Sequence, residues 1–243
     1  MLTRFFISLF SALIGLTAVA SPDDSDAVPR PMVISIVIDN PLTAVGIQLM
    51  RQVYQQAGYP TRFVTLSVAR SENLLHSGDV DAELARAEGL DKISENMIKV
   101  PEPLMTVNIA AYTLRHDITS ASTENLDALR IGIRHGLTID KRFHPKSLTQ
   151  VYRLDQLAQM LKHNRTDVAI LSETSAFFSK HKFNLNNLRA LAPELARFNV
   201  YHYIHKRHRH LIPQLGRRIR ELKDDGTIKA MIAEFMQKQA SAS

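Results

Sequence analysis

Between His202 and His210 the chain reads HYIHKRHRH, four histidines and three cations in nine residues. Closely spaced imidazoles invite a metal, and cations beside them invite an anion. The spacing argues against a metal. On an extended strand side chains alternate, so His202 and His205 project from opposite faces and cannot hold one ion together. His208 and His210 can approach each other, yet two imidazoles without a carboxylate make a poor site. The stretch reads as a basic surface turn, and no metal or other cofactor is expected. Catalytic signatures are missing as well: there is no Gly-x-Ser-x-Gly, no His-Glu-x-x-His, no phosphate-binding loop and no dinucleotide glycine pattern. With no cysteine in 243 residues, thiolate nucleophiles, disulfides, cysteine-containing zinc sites and a lipid-modified N-terminal cysteine are excluded.

The elements that must position any site begin after an unusual start. MLTRFFISLFSALIGLTAVA has one cation, an apolar run and the small-residue triplet Ala18-Val19-Ala20, the pattern of a secretory signal peptide cleaved after Ala20. A polar, proline-bearing leader follows over residues 21–31. Removing Arg4 lowers the formal charge of +6 by one, which is too mild an excess to name an anionic partner. An exported chain without aromatics interleaved on a basic face is not expected to bind nucleic acid.

From Met32 the run MVISIVID suits a strand buried on both faces. PLTAVGIQLMRQVYQQAGY then places Val45, Leu49 and Val53 on one helical stripe, with Gly58 at its end. The strand TRFVTL, the short helix SVARSENLLHSG and the strand VDAELAR complete a pattern of parallel βαβ units. MTVNIAAYTLR is too long for one strand of a small sheet and reads as a crossing between two lobes. A second alternation follows, with TENLDAL, DQLAQMLKHNR and SETSAFFSKHK as helices and RIGIRHG, SLTQVYRL and TDVAIL as strands. No sequence repeat is visible between the halves. The tail has NVYHYIHKRH as a strand and two helices, with Leu211, Leu215, Ile219 and Leu222 in helical period and Gly226 between them.

In open α/β sheets ligands bind outside the carboxyl ends of the strands. That rule selects Asp39 and Asn40, Glu83 and Arg86, Arg134 and His135, and Ser172 and Glu173 as ligand-binding candidates. Some of these have a plainer reading. Asp39-Asn40-Pro41 is a good strand-ending turn. Arg134 could be a surface cation paired with an acid. Glu173 could be a carboxylate favoured by a helix N-terminus.

HSGDVDAEL, LRIGIRHGLT, TDVAILSET and the C-terminal segment from Ile204 to Phe235, with its Asp-Gly-Thr, occur in the order found in the extracellular solute-binding proteins of family 3, which deliver amino acids to ABC importers. The chain resembles that family over nearly all its length beyond the leader. The resemblance implies an α/β, two-lobed periplasmic-binding-protein (type 2) fold, each lobe a mostly parallel sheet flanked by helices. It implies residues 32–106 with 200–243 as lobe 1 and 107–199 as lobe 2. It further implies a monomer in the periplasm that closes on a small polar solute for an ABC permease, and not an enzyme. A sensing module without a transporter, or a dehydratase-like enzyme using Glu83 or Glu173, are the alternatives. By the resemblance Arg134 contacts the ligand from lobe 2, and Glu173 stands where amino-acid binders receive the ligand ammonium. One departure counts against an α-amino acid: the family's Thr-x-x-Arg carboxylate clamp is replaced by AELARAEGLDKI, so the clamp is absent or moved to Arg86.

Overall fold

The computed structural model describes residues 30–37, 41–135 and 144–241. The expected signal peptide, most of the leader, Asp39 and Asn40 lie outside the described residues. Among those described, no helix is long and apolar enough to cross a membrane.

Nine strands form one sheet in the order β2-β1-β3-β9-β5-β8-β6-β7, with β4 also on β9. In the first half β1 (Met32–Val37) lies parallel to both β2 (Thr61–Leu66) and β3 (Ala82–Ala87). In the second half β6 (Arg130–Arg134) lies parallel to both β7 (Ser147–Val151) and β8 (Val168–Ser172). Two long antiparallel strands join them: β5 (Met105–Thr113) and β9 (Arg189–His205), paired from Met105 with Val200 to Thr113 with Arg189. β9 begins ten residues before the strand read from sequence, because RALAPELARF has no clean alternation and gains its partner only from β5. β4 (Met97–Lys99) and the single turn α3 (Leu90–Ile93) were not anticipated either.

The helices follow their apolar stripes. α1 (Thr43–Gln56) buries Val45, Leu49 and Val53, and Gly58 takes the left-handed φ of +83° that reverses the chain toward β2. α2 (Val68–Ser77) lies over β1 and β3. In the second half come α4 (Thr123–Asp127), α5 (Leu154–Lys162) and α6 (Glu173–Lys182). α7 (Ile212–Asp224) buries Leu215, Ile219 and Leu222 in the core built by β1 and α1, and α8 (Thr227–Ser241) packs on α1, α7 and α6.

A repeat invisible in the sequence sits at the amino ends of the parallel strands. Asp81, just before β3, donates its N–H to the Val33 carbonyl (2.8 Å), and its carboxylate accepts the Val33 N–H (2.8 Å). Asp167, just before β8, does the same with Arg130 at the start of β6: 2.8 Å from its N–H and 2.9 Å to its carboxylate. Each is then clamped by guanidinium groups, Asp81 by Arg30 and Arg207 and Asp167 by Arg115 and Arg130. These partners hold both carboxyls well below the ordinary aspartate range, although burial works against them.

The Asp81 clamp corrects the reading of the histidine stretch. Residues Lys206–Leu211 form a 3-10 turn at the surface, as expected for a turn entering a helix. His208 is nevertheless mostly buried, and its Nε2 lies 2.6 Å from Asp81. His202 and His205 do point to opposite faces: His202 is fully buried, whereas His205 caps the turn. His202 Nδ1 donates to the Leu84 carbonyl (3.2 Å), so Nε2 accepts from the Tyr54 hydroxyl (2.8 Å) in a neutral imidazole. Burial lowers its pKa to about 4.

A histidine whose folded pKa is depressed resists protonation only while folded, so stability is lost as pH falls from about 6.5 toward 4. Thermal melts across that window should show His202 contributing a decline of about 3 kcal/mol. His202→Gln should be less stable at pH 7 yet flatter between pH 6.5 and 4; an unchanged slope would count against a buried neutral imidazole.

Candidate functional site

The parallel register of β1 and β3 sets Ser35 opposite Glu83, and α2 presents Ser71 and Glu72 above them. Ser35, Ser71 and Glu83 are fully buried. Ser71 Oγ donates to Glu83 Oε2 (2.7 Å), and Ser35 Oγ lies 2.7 Å from Ser71 Oγ and 3.2 Å from the Ala82 carbonyl, the two acceptors within reach of its proton. The other carboxylate oxygen of Glu83 accepts from Arg86 (3.2 Å), whose second nitrogen bonds Glu72. One guanidinium is thus shared by two acids. Burial raises the Glu83 pKa above the usual glutamate value, with Arg86 opposing that shift.

The facing wall comes from the second half. β6 ends at Arg134, and the His135 N–H continues the ladder by donating to the Val151 carbonyl (2.7 Å). The His135 ring stacks on exposed Tyr152, with centroids 4.8 Å apart and planes 17° from parallel. β8 ends at Ser172, whose side chain caps α6 by accepting the Ser175 N–H (3.1 Å).

Arg86, Arg134, His135 and Ser172 line one cavity of about 350 Å³ between the halves. A second chamber of about 180 Å³ adjoins it, bordered by Glu83 and sharing Ala85, Ser172, Ser175 and Val200 with the first. Five of the eight residues selected from sequence therefore meet around two adjoining spaces. Glu173 does not join them. It lines a separate shallow groove with Tyr112 and Glu194, where Asn108 Nδ2 approaches it at 3.5 Å. Asp39 and Asn40 fall outside the described residues. Ser35, Ser71 and Glu72 escaped the sequence reading. A lone serine inside MVISIV was the available signal, because a buried hydroxyl must find a partner. Among the described residues no group of three histidine, aspartate or glutamate side chains is placed to hold a metal ion.

No family model matches the chain. It is similar at 23% identity to an uncharacterized protein of Shewanella oneidensis, over 98% of this chain and 96% of that one. Among solved structures it is similar to the GluR0 ligand-binding core in complex with L-glutamate, with a TM-score of 0.75 and 11% identity over 86% of this chain and 99% of that one. It is also similar to the amino acid ABC transporter substrate-binding protein AbpA of Streptococcus pneumoniae bound to L-arginine, with a TM-score of 0.71 and 14% identity over 86% and 96%. A histidine kinase sensor domain with similarity to periplasmic binding proteins gives a TM-score of 0.69 and 16% identity over 85% and 96%. The chain has the two-lobed periplasmic-binding-protein fold that its sequence resemblance implied.

Removing the shared cation would set two carboxylates against each other. Arg86→Met should lower stability by about 2 kcal/mol at pH 7, less than a fully buried pair because the arginine is partly exposed. A glutamate with a raised folded pKa burdens the fold as pH rises through that value and ceases to do so below its unfolded one. The deficit in denaturant melts should therefore shrink toward pH 4.5, and a pH-independent deficit would contradict it.

Proposed function

We propose that this chain is a periplasmic solute-binding protein that closes two lobes over a small anionic or zwitterionic solute. One observation carries the reading: Arg86 from one half and Arg134 with His135 from the other line a single cavity. Lobe 1 would comprise residues 32–106 and 200–243, and lobe 2 residues 107–199. The hinge would lie where Met105 to Asn108 pair with Arg197 to Val200. We assign the solute's anionic group to Arg134, because it stands at the carboxyl end of a strand and lines the cavity.

The role requires binding and closure, with no bond made or broken. Of the two carboxylates a dehydratase-like enzyme on this fold would use, Glu83 has its oxygens taken by Ser71 and Arg86, and Glu173 lines a separate groove. Delivery to an ABC permease is the partner role we favour, with the protein acting as a monomer. The second reading is a sensing module, supported by the likeness to a kinase sensor domain. Copurification with a permease would favour the first, and copurification with a kinase the second.

A ligand bound only by the folded state raises its melting temperature. A thermal-shift screen of amino acids, organic acids and sugars should therefore find a carboxylate-bearing hit. Arg134→Met should weaken that hit by about 2–5 kcal/mol in calorimetry, since a charge-assisted contact is lost and the solute's charge is left buried. Undiminished affinity would remove Arg134 from the site.

A further inference from the structure

We propose that the solute is a carboxylate with a compact aliphatic tail, seated in the chamber beside the charged cleft; this rests on the solute-binding reading above. The two spaces adjoin, since Ala85, Ser172, Ser175 and Val200 border both. A solute with its head at Arg134 would reach the chamber past these four residues.

The chemistry of the chamber selects the tail. Its walls are mainly aliphatic, with Leu49, Leu104, Val107, Ile228 and Ile232 drawn from α1, β5, α8 and the loop before β5. The polar groups of its floor and mouth are engaged with each other. Ser35 bonds Ser71, Glu83 is held by Ser71 and Arg86, and Ser172 and Ser175 bond one another (2.9 Å). A hydroxyl or amide on the tail would have to break one of these contacts, rely on the two remaining hydroxyls of the lining, Thr43 and Thr174, or go without a partner at a desolvation cost. A methyl group meets none of these penalties. Volume sets the upper bound: an apolar cavity of roughly 150 Å³ accommodates benzene. About 180 Å³ admits an isobutyl or phenyl group.

The test is calorimetry on the purified exported protein, with glycine, L-alanine, L-valine, L-leucine and L-asparagine, and with acetate against 4-methylpentanoate. Each methylene buried in the chamber should tighten binding about fourfold. L-leucine should exceed glycine and its polar near-isostere L-asparagine by more than tenfold, or 4-methylpentanoate should exceed acetate by as much. Ala85→Leu, which narrows the passage, should reverse the order so that the long tails bind worst. Where that variant does not fold, Val107→Thr should cut the advantage of L-leucine over L-alanine several-fold. If L-asparagine, L-glutamate or L-arginine binds as tightly as L-leucine, the apolar tail is overturned and the cleft stands. If no carboxylate binds, both fall.

Discussion

Each half of this protein hangs on one buried aspartate at the amino end of its sheet. Asp81 and Asp167 exchange a reciprocal pair of hydrogen bonds with the strand alongside, and each takes two arginines. Stripping water from a carboxylate costs several kcal/mol, and only full satisfaction of its lone pairs by cations and N–H groups recovers that cost. Register follows from that requirement. A strand slipped by one residue would carry the acid away from its N–H partner and turn every apolar side chain to the wrong face.

With the amino ends fixed, the carboxyl ends border the cavity. β3 and β8 start at the two aspartates and finish near it, with Ala85, Arg86 and Ser172 on its wall. The aspartates at one end of these strands tie the sheet together, and Arg86 at the other end lines the cavity. The first half also ties the C-terminal turn to the same anchor, since Arg207 and His208 both reach Asp81. Of the basic stretch, Arg207 and His208 are spent in this way on a buried carboxylate, while Lys206, Arg209 and His210 stay exposed.

At the cavity the electrostatics are deliberate in sign. Arg86 sits between two glutamates, one of them fully buried, so that wall holds a mixed group whose charge depends on the protonation of Glu83. Across the gap stand Arg134 and the His135 ring stacked on Tyr152. A chamber of aliphatic side chains lies directly beside this charged pair of walls. In the proposed binding mode charge would orient one end of a ligand, and excluded volume and apolar contact would measure the other.

Local order was legible because it is set by side-chain periodicity over a few residues. The stripe Val45, Leu49, Val53, the burial of Met32, Ile34, Ser35 and Ile36 on both faces of β1 and the period from Leu211 to Leu222 all appear as read. Strand ends could also be read, so Glu83, Arg86, Arg134, His135 and Ser172 were selected before any contact was known. Tertiary structure alone decided which charges remain available to a ligand. His208 became an interior partner because Asp81, more than a hundred positions earlier, needed donors. Glu173 faced a different groove because the first turn of α6 rotates it away from its neighbour Ser172. β9 extended to Arg189 because β5 offered it hydrogen bonds, which no alternation in its own sequence announces. Pairing across long sequence separations depends on which surfaces meet, and a linear pattern encodes only the surfaces.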